Sequence, residues 1–179
     1  ATPHDPYQEI VVTTPETLFY FNNDSRRLCY TFTVPGRWTL GRQIGALRSE
    51  NGKAFVGVVF TPERAPDSPA LRAAHDLTAS YERGLGRPLT EVEISPADEL
   101  FPGAVRWRAG DRVTMRGIQG TLSPTLFVPF QPGWVAQVTV GGTTDDDAVT
   151  RQVLGTLGTT DHPQCYWPLI RRISPDFPR

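Results

Sequence analysis

Lysine is almost missing from this chain: of its 18 basic residues only Lys53 is Lys, and the rest are Arg. The Arg residues are scattered, so there is no Lys-rich tail of the kind that grips a nucleic acid. A net charge of −1 draws no polyanion either, and no nucleic-acid partner is expected. No apolar run approaches the roughly 18 residues that a membrane helix needs, so no membrane span is expected. The motifs of common chemistries are missing as well. No glycine loop precedes a Lys-Ser/Thr pair, and there is no Gly-x-Ser-x-Gly elbow, no His-Glu-x-x-His and no paired Cys-x-x-Cys. The sequence therefore names no catalytic residue and no cofactor. What is present is the composition of a globular chain: 179 residues, 39% of them hydrophobic. That is one domain's worth, enough to bury roughly 70% of its unfolded surface.

Cysteine is nearly as scarce, with Cys29 and Cys165 towards opposite ends. Such a pair reads either as two separate thiols in a reducing compartment or as one disulfide in an exported protein. The disulfide is the preferred reading. It makes Cys29 and Cys165 the only site residues the sequence names, and it places the protein in the periplasm or outside the cell. In the chain-entropy picture the long loop so closed contributes at most roughly 5 kcal/mol. The start, Ala1-Thr2-Pro3, shows neither an initiator Met nor a signal peptide, as expected of a processed mature protein or of an artificially chosen start.

His162 lies three residues from Cys165, and with His4 the pair could hold a soft metal, though not if Cys165 is bridged. The run Asp145-Asp146-Asp147 lacks the spaced ligands of a calcium loop, and carboxylates at a helix N-terminus are stabilised by its dipole. Neither is carried forward as a metal site. His75 falls on a predicted helix and reads as a surface or satisfied core residue, not a ligand. Asn23-Asp24-Ser25 fits the glycosylation triplet and reads as a turn.

The clearest local structure lies between Gln43 and Gly84. Asn51-Gly52 signals a tight primed turn. Lys53–Phe60 after it is apolar on both faces, as in a strand covered above and below. Asp67-Ser68-Pro69 opens a helix that Gly84 should stop, packed across that strand with Leu71, Ala74, Thr78 and Tyr81 as its seam. Upstream, Leu28, Tyr30, Phe32 and Val34 alternate with Cys29, Thr31 and Thr33, predicting a half-buried strand. Downstream, Thr90–Ile94, Val105–Ala109, Arg112–Gln119, Thr121–Val128 and Trp134–Val140 predict an antiparallel meander, with Pro124 marking an edge or a break. Thr143 or Thr144 caps a last helix whose buried side is Val149, Val153, Leu154 and Leu157. The expected organisation is a leader with short strands over 1–27 and an α+β core over 28–160. In that core an antiparallel sheet is covered by helices, in an α/β/α sandwich. An extended tail over 161–179 packs on it.

The order of parts is an early strand, Val34-Pro35-Gly36-Arg37-Trp38, the hairpin, Phe55–Phe60, a helix, the meander, Pro132-Gly133-Trp134 and a closing helix. From Leu28 to Leu157 this resembles the PsbP-like family, whose members carry Pro-x-x-Trp after an early strand and close on a strand–helix pair. The resemblance implies an antiparallel sheet between helices and an exported accessory role in a larger assembly, with a protein partner. It carries over no catalytic residues, and the two cysteines and the tail have no counterpart in it. A second class stays open: a small exported enzyme or ligand carrier, whose pocket would draw Arg106, Arg108, Arg112 or His75 towards a carboxylate of shifted pKa.

Overall fold

Residues 11–12, 19–23, 26–41 and 45–159 are described in the computed structural model. They form an α+β protein, mostly antiparallel sheet with two helices. The chain divides into two compact units, Ala1–Val59 with Val140–Arg179, and Phe60–Thr139.

In the first unit β1 (Val11–Val12), β4 (Trp38–Leu40), β5 (Ala46–Ser49) and the start of β6 (Phe55–Pro62) lie side by side, each antiparallel to the next. Asn51-Gly52 does sit at the β5–β6 hairpin, but the turn is wider than the two-residue form. Ser49 N–H donates to the Ala54 carbonyl at 3.1 Å, and only Gly52 is left-handed, at φ 72°. Asn51 closes the loop with its side chain instead, accepting from Lys53 N–H at 2.9 Å and from the Ser49 hydroxyl at 2.8 Å. The two-faced reading of β6 also needs correction. Val56, Val58 and Phe60 are fully buried, whereas Phe55 is exposed and Gly57 and Val59 are half-buried. Apolar side chains tolerate partial exposure, so the continuous apolar run overstated the cover.

A second sheet in this unit sets β3 (Arg26–Thr31) between β2 (Phe19–Asn23) and β13 (Gly158–Thr159). Leu28, Tyr30, Phe32 and Val34 are buried, as their alternation predicts. Helix α2 (Asp146–Thr156) buries Val149, Val153 and Leu154, with Leu157 just beyond it. Its cap is Asp145, not Thr143 or Thr144. Asp145 takes the extended backbone a cap requires and accepts from Ala148 N–H at 3.1 Å, while Thr143 turns its own N–H and hydroxyl towards Asp146. At its other end the Thr156 hydroxyl accepts from Thr33 N–H at 2.8 Å, which fixes the chain leaving β3.

In the second unit β12 (Trp134–Gly141), β11 (Thr125–Gln131), β8 (Val105–Ala109) and β7 (Val92–Pro96) follow in antiparallel order. Pro124 falls in the break before β11. Helix α1 (Pro69–Leu85) packs mainly on β11, β8 and β7 of this unit. Trp107 on β8 explains the choice. Its indole is fully buried, α1 sets Ala70 and Ala74 into the same core, and Tyr81 stacks on it at 5.5 Å between ring centroids. The indole N–H donates to the Thr78 hydroxyl at 2.9 Å. Small side chains let the helix approach, so Ala70 takes the seam position expected of Leu71, which is exposed. The helix also passes Gly84 and stops at Gly86, whose φ is 71°.

Arg112–Gln119, read as one strand, is in fact most of a hairpin. β9 (Arg112–Met115) turns through Arg116-Gly117, at φ 52° and 76°, into β10 (Ile118–Thr121). Among the described residues no helix is long and apolar enough to cross a membrane.

Thr78→Val keeps the shape of its side chain but leaves the buried Trp107 N–H without an acceptor. It is expected to cost about 1–3 kcal/mol, seen as a lower urea midpoint at unchanged slope. A wild-type midpoint would show the bond to be dispensable.

Candidate functional site

Cys29 lies in the middle strand of the three-stranded sheet, level with Tyr20 of β2. On the other side, Gly158 is level with Thr31 and Thr159 with Tyr30. β13 therefore runs towards the level of Cys29, and Thr159, the last described residue, lies one residue short of it. Cys29 shares its face with Thr31 and Thr33, which are half-buried, yet it is itself only 8% exposed. Cys165 lies outside the described residues, as do His4 and His162, and with them the soft-metal alternative.

Tyr30 fixes the strand beside Cys29. Its ring is fully buried and its hydroxyl donates to the Val58 carbonyl at 2.5 Å. Burial pushes its pKa up, so it remains a protonated donor. Gly45, at φ 73°, presses on the same point. A Cβ there would overlap the Val58 carbonyl oxygen and crowd the Tyr30 hydroxyl, so only glycine fits.

The second unit has its own buried carboxylate, which sequence reasoning missed. Asp111, between β8 and β9, accepts from Thr90 N–H at 2.8 Å, the Thr90 hydroxyl at 3.0 Å and Glu91 N–H at 2.8 Å. The backbone bond from Thr90 leads in holding its pKa below the usual carboxylate range, against the opposing effect of burial. Gly110-Asp111 signals a turn, but no local pattern marks bonds to Thr90 and Glu91, 21 and 20 residues earlier in the chain. With its oxygens committed to the segment entering β7, this carboxylate is a strut and offers no free base.

Arg106, Arg108, Arg112 and His75, the residues proposed for a pocket, are not gathered around one carboxylate. Arg106 and Arg108 share the face of β8 opposite Trp107. Arg106 meets Glu99 at 3.7 Å, and Arg108 is exposed and level with Glu93. His75 is exposed on α1, which packs on the Trp107 side. Arg112 lies past the turn, its carbonyl accepting from Arg87 at 3.0 Å. Among the described residues no group of three or more His, Cys, Asp or Glu is placed to hold a metal ion. Asp145 and Asp146 are engaged at the start of α2 as described above. No protein-family model, no curated protein and no solved structure matches this chain.

A carboxylate whose folded pKa is depressed stabilises the protein above its unfolded pKa, near 4, and that contribution is lost as pH falls through the folded value. Asp111→Asn should therefore lower the Tm at neutral pH, with the gap to wild type narrowing below about pH 4. Thermal melts across pH would contradict this if the gap were constant.

Proposed function

We propose that this is an exported, non-catalytic binding or accessory protein of the PsbP-like kind, working with a protein partner in a larger assembly, with Cys29 and Cys165 joined as its disulfide. The observation that carries the reading is the seam at β3. β13 heads for the level of Cys29, and Thr159, the last described residue, stands six peptide steps before Cys165. At about 3.3–3.6 Å per residue those steps reach roughly 20 Å, well beyond the Cα separation of about 7 Å or less that a bridge needs. The burial of Cys29 beside half-exposed Thr31 and Thr33 favours a covering contact at that position. A lasting disulfide belongs to an oxidising compartment, hence the periplasm or the exterior.

The resemblance gains a physical rationale from its motif. In Pro35-Gly36-Arg37-Trp38 the indole N–H of Trp38 donates to the Pro35 carbonyl at 2.7 Å, while Gly36 supplies a positive φ of 89°. Pro-x-x-Trp is thus a self-closing turn after an early strand. The sandwich layering belongs to the same proposal, supported within the second unit by α1 on one side of β7, β8 and β11. The non-catalytic part is supported by how the buried and capping carboxylates are used: Asp111, Asp145 and Asp146 each accept from backbone N–H groups.

Alkylation of the denatured chain, read by intact mass, tests the bridge. Without reductant no thiol should react, and after reduction two should. Modification of both cysteines before reduction would remove the disulfide and, with it, the argument for export.

A further inference from the structure

The β9–β10 hairpin carries an exposed apolar pair. Ile118 is 74% exposed and Met115 is 49% exposed, the two most exposed large hydrophobic side chains among the described residues. They are cross-strand partners, so they stand together on one face. That face begins in the core at Val113 and leaves it towards the tip. Among the described residues the hairpin forms a two-stranded sheet of its own, paired with no other strand. From Arg112 to Thr121 the chain has two Arg and no carboxylate. Among the described residues neither Arg forms an ion pair. Arg87 brings a third cation to the base of the hairpin through its bond to the Arg112 carbonyl. At the tip Arg116 is the one non-glycine residue with positive φ among those described. Asn would suit that backbone better, so the charge is held there against local preference.

We propose that this hairpin tip seats the protein on the anionic surface of a phospholipid bilayer. Met115 and Ile118 enter the boundary between headgroups and acyl chains, and the Arg side chains lay their stems along it with guanidinium groups at the phosphates. Two apolar side chains fall far short of the roughly 800 Å2 per partner of a standard protein interface, whereas a bilayer demands no matching pocket. A second copy docked tip to tip would set Arg116 against Arg116. With so few contacts the attachment is weak, reversible and salt-sensitive. It does not depend on the export reading.

The test is co-sedimentation of the full chain with vesicles of phosphatidylcholine alone or with about one-third phosphatidylglycerol. The wild type should bind the anionic vesicles and not the neutral ones. Arg116→Asn creates an Asn-Gly turn that suits the left-handed backbone, so its Tm should hold or rise while its vesicle affinity falls roughly five-fold. Ile118→Thr, which keeps a β-branched strand residue, should lower the affinity about five- to ten-fold. Three results would overturn the proposal: no preference of the wild type for anionic vesicles, wild-type affinity in both folded variants, or a self-associating chain that Ile118→Thr makes monomeric without any vesicle binding.

Discussion

The bond from the Tyr30 hydroxyl to the Val58 carbonyl is the contact on which the first unit turns. It joins β3, in the three-stranded sheet, to β6 in the other sheet of the same unit. A buried hydroxyl left without a partner would cost about 1–3 kcal/mol, so the pairing is strongly enforced once the ring is in the core. The bond exists only because Gly45 leaves room for it. Cys29 is the residue before Tyr30, so its position follows from a hydroxyl, a carbonyl and a missing side chain.

The second unit solves a similar problem with an indole. Trp107 brings a large apolar ring and one N–H into the core, and α1 answers with Ala70 and Ala74 for room and Thr78 for the hydrogen bond. Phe60 packs edge-on against Phe130 and Trp134, at 5.7 and 6.3 Å between centroids, so a second aromatic cluster holds the β11–β12 end. Polar atoms of the core are thus engaged in holding elements together.

Alternation was the legible part of the sequence. Leu28, Tyr30, Phe32 and Val34, the Trp107 face of β8, and the buried side of α2 all follow from period and side-chain type. Choices between similar residues were not legible. Asn51-Gly52 and Arg116-Gly117 both offer a turn, and the primed geometry went to the pair with the weaker propensity, because Asn51 used its side chain to close a longer loop. Gly84 and Gly86 both offer a helix stop, and the helix ran on to the second. Where α1 would lie depended on the fit of alanines around an indole 33 residues further on from Ala74, a match that no local window contains. The pairing of Cys29 with Cys165 is a proposal that starts from the scarcity of cysteine, and the register of β13 is compatible with it.

The central claim is that the seam at β3 is closed by a crosslink beside Tyr30. Amide hydrogen exchange of the full chain, followed with and without reductant, addresses it most directly. Reduction should speed exchange along β3 and β13 while leaving the amides of α1 and β8 as slow as before. Identical protection of β3 and β13 in the two conditions would contradict the account.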